Sequence, residues 1–161
     1  MSFPLKVYKD GNTCVFWDVS NYPIPDGQDP VLLSRDIKEA LVKEGFNGEV
    51  TIKAYVDKLS DELQSQYSDA NVKVTIFPEG GKFGRISFML VDVLMWAMSN
   101  PGDSNLIVLS KNVIGDAISS FQGLYARNRG VLLSDTDPTW SLPCETALSF
   151  LTCLFDNRRK R

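Results

Sequence analysis

The chain has 161 residues, 43% of them hydrophobic and 23% charged, with a formal charge of −3. That length suits one domain whose core stands without disulfide staples, and so mild a charge means that any nucleic-acid role needs a local basic surface. The chain contains no histidine, which excludes serine-type triads, histidine-based ribonuclease chemistry and His-ligated metals.

In chain order, "TCVFWDV" (13–19) reads as a buried strand ending at Asp18. The Pro-, Asp- and Gly-rich loop "NYPIPDGQDP" follows. "VLLSRDIKEALVKEG" carries apolar residues at Val31, Leu32, Ile37, Leu41 and Val42 and reads as a helix stopped at Gly45. "EVTIKAYVD" (49–57) alternates and is β-branched, hence a strand, and "LSDELQSQYSD" is a short polar helix starting near Ser60. "VKVTIFP" (72–78) is a third strand, closed by Pro78 and the loop "EGGKFG". "RISFMLVDVLMWAMSN" (85–100) is a helix apolar on nearly every side, a pattern that predicts burial within the domain. "SNLIVLS" (104–110) is a fourth strand, "VIGDAISSFQGLYARNRG" a helix, "VLLSD" (131–135) a fifth strand, and about 144–156 a last apolar helix. Five alternations of strand and helix predict an α/β fold, a three-layer sandwich with a mainly parallel five-stranded sheet. One domain is expected over 10–156, with 157–161, "NRRKR", a basic tail.

Cys14, Cys144 and Cys153 show no CxxC spacing and read as reduced thiols of an intracellular protein. No apolar run reaches the roughly 18 residues of a membrane span. The N-terminus has no signal-peptide core, so the expected location is cytoplasmic by default.

In a parallel sheet all strand exits share one edge, so Asp18, Asp57, Pro78, Ser110 and Ser134 are expected to line it, with Asn112 close behind. Asp18 has a bland reading, since Asp and Asn often bond backbone amides at strand ends. Asp92 is the second unusual acid, flanked by four apolar residues on each side in "FMLVDVLMW". An unpaired carboxylate there costs several kcal/mol, roughly, unless it is hydrogen-bonded, paired or solvated. Either Asp92 finds such a partner, or it points with Asp18 into a shared Mg²⁺ or Mn²⁺ site that activates water against a phosphodiester. "GGKFGR" (80–85) lacks the ending of a phosphate loop and reads as a mobile connection. Trp17, Phe88 and Trp96 read as core, and Arg127 and Arg129 as the cationic end of a helix. Tyr22 and Trp140, in loops near the edge, are the candidates for base stacking.

The blocks "VFWDVSNYPIPDG", "IKAYVD", "LVDVLMWAMSNP" and "NLIVLS", in that order and spacing, closely resemble the NYN domain, with a likeness to plant proteins of the meiosis regulator and mRNA stability factor group. The resemblance implies a PIN-like nuclease fold, an acidic Mg²⁺ or Mn²⁺ centre and a role in RNA turnover and regulation of gene expression. It also allows a peroxisome-associated or nuclear pool. Matched position by position, it implies catalytic roles for Asp18, Asp57 and Asp92, and metal contacts from Asp18, Asp92 and Asn112. Asn21, Lys82, Arg85 and Lys111 become its RNA-contacting residues. Four positions depart from the family's acids: Ser20, Ile86, Asn112 and Ile114 stand where carboxylates are usual. Each lost carboxylate at about 4 Å removes roughly a few kcal/mol of attraction for the ion at an effective dielectric near 20. The expected function is therefore an RNA-related protein with a degenerate, weakly metal-holding site, no organic cofactor, and single-stranded RNA or RNA-regulatory proteins as partners. An active Mg/Mn-dependent endoribonuclease and a non-catalytic protein-interaction domain are the alternatives. The sequence sets no oligomeric state.

Overall fold

The computed structural model describes residues 7–77, 81–111, 116–134 and 149–155. Its elements are β1 (Asn12–Asp18), α1 (Pro30–Lys43), β2 (Val50–Val56), α2 (Asp61–Asp69), β3 (Lys73–Ile76) and α3 (Gly81–Ser99). They continue with β4 (Ser104–Leu109), α4 (Asp116–Ala126), β5 (Arg129–Leu133) and α5 (Ser149–Thr152), which runs into a 3₁₀ turn at Cys153–Phe155. Pro78, Asn112, Ile114, Trp140, Cys144 and the basic tail fall outside the described residues.

Local chemistry sets the helix starts. Asp29 accepts the Leu32 amide at 2.9 Å with Pro30 at the first helical position, and Ser60 accepts the Leu63 amide at 3.1 Å. Gly45, at φ +95°, takes the left-handed turn after α1 that other residues resist.

The sheet order is β3-β2-β1-β4-β5, and all four pairings are parallel. Alternation along β1 divides the core in two. Cys14 and Phe16 face Met89 and Val93 of α3 and Ile118 and Phe121 of α4. Val15 and Trp17 face Leu33, Ile37 and Leu41 of α1, Tyr67 of α2 and Leu151 of α5. The result is the expected three-layer α/β/α sandwich. At the sheet's opposite edge from the strand exits, the segment before β1 is held tightly. Gly48 passes so close to the Gly11 carbonyl that no Cβ fits, and the Asn47 amide donates to Lys9 at 2.6 Å.

Three sequence expectations are corrected. α3 begins at Gly81, so the end of "GGKFGR" is helix rather than loop, with Lys82 and Arg85 in its opening turns. The same helix is not enclosed: Met89, Val93 and Ala97 are buried, but Phe88, Val91, Leu94, Met95 and Met98 are exposed. The sheet offers α3 one face to cover, and no described element packs on its far side. Phe88 is thus not core, although its ring meets Phe77 edge-on at 5.8 Å. Arg129 does not end α4 but opens β5, where its guanidinium donates to the Gly102 carbonyl at 2.8 Å and the Ala97 carbonyl at 3.2 Å. It ties the end of α3 to the turn before β4, away from the strand exits.

Candidate acidic site at the strand exits

From β1 the chain builds outward through β2 and β3, then crosses back to lay β4 on the other side of β1. That reversal opens a crevice at the carboxyl ends of β1 and β4, the place where open α/β sheets hold their ligands. Asp18, Asp57, Ser110 and Ser134 all stand at this edge.

Asp18 is 2% exposed and shapes the exit of β1. Its Oδ1 accepts the Ser20 amide at 3.0 Å, and its carbonyl accepts the amides of Asn21 at 3.1 Å and Tyr22 at 3.0 Å. Ser20 then reaches across to β2, its Oγ donating to Oδ2 of the exposed Asp57 at 3.0 Å. Asp92, half-buried on α3, accepts the Tyr55 hydroxyl on Oδ2 at 2.8 Å. Tyr55 is in turn the register partner of Asp18. The three acids are thus linked through neighbours: Asp57 to Asp18 through Ser20, and Asp92 to Asp18 through Tyr55.

Burial, then the bond to Asp92 and that carboxylate's charge, push the Tyr55 hydroxyl well above its ordinary range. It therefore stays a proton donor at neutral pH. Removing it in Tyr55→Phe leaves the Asp92 oxygen short of a donor in a half-buried place. The expected loss is about 1.5–3 kcal/mol of stability, the worth of a hydrogen bond to a charged group. Urea unfolding measures it, and a Tyr55→Phe/Asp92→Asn double-mutant cycle should return a coupling of about 1 kcal/mol or more. A coupling near zero would mean that water replaces the hydroxyl without cost.

On the β4 side, Asn21 Oδ1 accepts the Lys111 amide at 2.9 Å and the Ser110 hydroxyl at 3.2 Å. Ser134 completes the edge, taking the Ser110 amide at 2.9 Å and donating to its carbonyl at 2.8 Å. Asn21 therefore fastens the exits of β1 and β4 together. The exposed Lys111 holds its ammonium 5.4 Å from the centre of the Tyr22 ring, a cation–π contact. Tyr22 itself is not free to stack a base: it is 7% exposed, its carbonyl accepts the Trp17 indole, and its ring packs on Phe155 at 5.5 Å. Beside it lies a cavity of about 430 Å³ lined by Asn21, Lys111, Ser149, Thr152 and Cys153, among others. Ser110 and Ser134 stand at the edge where the strand order placed them, whereas Tyr55 carried no sequence signal of a site role. Its strand reads as an alternating β-branched run, and only the register joins it to the acids.

A parallel three-layer fold with an acidic strand-exit edge defines the PIN-like α/β class. The NYN-domain family pattern matches residues 12–139, and the chain belongs to the NYN family. NYN domains have a nuclease-like, RNA-related function and in general depend on a divalent metal. No curated protein matches the sequence. Measured against that metal, the donor set falls short: among the described residues no three Asp, Glu, Cys or His side chains form a group able to hold an ion. Ile86, where the family usually places an acid, packs against the core. The described residues do not fit a three-carboxylate cation centre. Among the described residues no helix is long and apolar enough to cross a membrane.

Proposed function

We propose that this chain is an NYN-domain protein of RNA metabolism and regulation of gene expression whose acidic centre is degenerate, with weak or no nuclease activity. The observation that carries the reading is the engagement of its acids with the protein itself. The Asp92 carboxylate is held by Tyr55 and that of Asp57 by Ser20, where an ion-binding site would turn both toward one point. The change from acid to Ile86 supports it further. Without a second or third carboxylate in reach, a divalent ion keeps most of its water and binds weakly.

RNA, single-stranded at the crevice, contacts the strand-exit edge through Lys111, with Lys82 and Arg85 at the start of α3 supplying phosphate contacts. Asn21 acts by holding that edge in shape. The location expected of such a protein is cytoplasmic.

The test joins a thermal and a catalytic measurement. With 10 mM Mn²⁺ the melting temperature is expected to move by less than about 1 °C. A site with a dissociation constant near 100 μM would add about 2.7 kcal/mol, several degrees for a chain of this size. Single-stranded RNA is expected to remain intact with Mn²⁺, or to be cut no faster by the native chain than by Asp18→Asn. Cleavage abolished by that substitution would replace this reading with an active endoribonuclease. Binding that lacks a steep salt dependence would leave a protein-interaction domain instead.

A further inference from the structure

The outer face of α3 is the least ordinary surface of the molecule. Phe88, Val91, Leu94, Met95 and Met98 lie at helical spacing and form one continuous stripe. Val91 is 54% exposed, Met95 61% and Met98 80%. At one end the stripe meets Phe77, just past edge strand β3, on which Phe88 rests. Side chains of this size with these exposures leave roughly 500–600 Å² of apolar surface open, the upper end for a patch on a monomer. From residue 86 to the end of α3 the one ionisable residue is Asp92, and it turns away from the stripe to Tyr55.

We propose that this face is the contact surface of a homodimer, in which α3 packs antiparallel against α3 of a second copy. Two observations select a copy of the chain over other occupants. The first is charge: the five side chains of the stripe are all uncharged, with Glu49, Lys53 and Lys73 only at its margin beside Met95, so an identical face meets it about a twofold axis with no like charges opposed along the seam. The second is area: two such patches bury roughly 1,000–1,200 Å² of apolar surface before any polar rim is added, which reaches the range of specific interfaces. Two of the chain's remaining segments attach away from this face. Residues 135–148 connect β5, at the far end of the sheet from β3, to α5, which packs with α1 on the opposite layer. The tail after Phe155 leaves from that same layer.

With the axis level with residue 93, Phe88 faces Met98 of the partner copy and Val91 faces Met95 of the partner copy. The methionines adapt their shape to such a seam. The strand-exit edge is not part of this surface, so RNA contact through Lys111 does not require the dimer.

Sedimentation of the full chain from 5 to 200 μM tests the proposal. A concentration-dependent dimer is expected, and Met95→Lys/Met98→Lys should weaken it at least about a hundredfold by burying charge in the seam. Both side chains are exposed, so the melting temperature at 5 μM should stay within a degree or two of the native value. Mixing Phe88→Cys with Met98→Cys protein should give a mixed disulfide dimer under mild oxidation, and Val42→Cys protein, altered on α1, should not form one. A native chain that stays monomeric at 200 μM overturns the proposal and leaves the stripe to a different partner. A dimer indifferent to the two lysines overturns it as well, by placing the interface elsewhere.

Discussion

Asn105→Leu is expected to destabilise the protein by about 3 kcal/mol, although the two side chains share the same branching and number of heavy atoms. Asn105 is the second residue of β4, fully buried, and pairs in register with Thr13 of β1. Its Oδ1 accepts the Tyr8 amide at 2.8 Å, while its Nδ2 donates to the Tyr8 carbonyl at 2.9 Å and to Thr13 Oγ1 at 3.0 Å. Leucine would strand the Tyr8 amide and Thr13 Oγ1 at once, while the Tyr8 carbonyl keeps the Gly11 amide at 3.0 Å. Each fully buried orphan costs about 1–3 kcal/mol, and the part-buried Tyr8 backbone recovers some of that by meeting water. At 2–4 °C per kcal/mol for a chain of this length, the melting temperature should drop by roughly 6–12 °C. Calorimetry at neutral pH measures it. A drop below 2 °C would show that Tyr8 and Thr13 are solvated at little cost and that the segment before β1 is not pinned by this side chain. Salt-dependent RNA binding at the strand exits should persist in the variant, because Asn105 lies at the other edge of the sheet.

The same residue marks where sequence reasoning stops. "SNLIVLS" announces a buried strand through its apolar run, but nothing local says that the asparagine inside it closes on a residue 97 positions earlier. The order of strands and helices was legible because each element carries its own period and its own stop signals. The three-layer parallel fold follows from that order. The ends of elements were less so: β5 begins at Arg129 because that strand pairs with Ser104, a tertiary choice. α3 shows the limit most clearly. Its apolar pattern was plain, and burial inside the domain was the natural inference, yet whether a helix is covered depends on how many elements the sheet recruits. Position 92 was legible as an anomaly. Its resolution, the Tyr55 hydroxyl, lies 37 positions away on β2 and needed the register to be found. The family's motifs singled out the acids at 18, 57 and 92, while their bonds to Ser20 and Tyr55 are properties of this chain's packing.

Those bonds bear on function through preorganisation. A carboxylate waiting for a metal is held by groups that leave its oxygens converging on one point. Asp92 and Asp57 instead satisfy hydroxyl donors from the protein, and the Asp18 carboxylate shapes the turn that carries Asn21 to β4. The edge is therefore stiff without any ion. A stiff, polar crevice flanked by Lys111 is suited to holding a nucleic-acid backbone, which requires little reorganisation and gains from counterion release. Retention of the fold with loss of ligand convergence would turn a nuclease scaffold into a binding one.

Alkaline conditions are expected to unfold this chain early, and three buried groups are the cause: Cys14 and Tyr55 under α3, and Tyr67 in the opposite layer. Burial pushes the Cys14 thiol from 9.0 up to about 12; Lys53 pulls it down, Asp92 pushes it up and Lys73 pulls it down, each by less. Burial pushes Tyr67 from 10.0 up to about 12, and burial with the Asp92 bond raises Tyr55 as well. In the unfolded chain these groups release their protons near their ordinary values. Between pH 9 and 12 the unfolded state thus binds fewer protons than the folded one, and stability falls as pH rises. The contribution is fully present below about pH 9 and is lost progressively toward 12. By pH 11 the three groups together should remove roughly 4–6 kcal/mol, against a total stability of about 5–15 kcal/mol for a domain. Urea midpoints at pH 8, 9, 10 and 11 measure the slope. Cys14→Ala, which leaves only the tyrosines to titrate, should postpone the onset to about pH 10 and reduce the loss at pH 11 by about half. An unchanged slope in that variant would place the alkaline sensitivity outside Cys14.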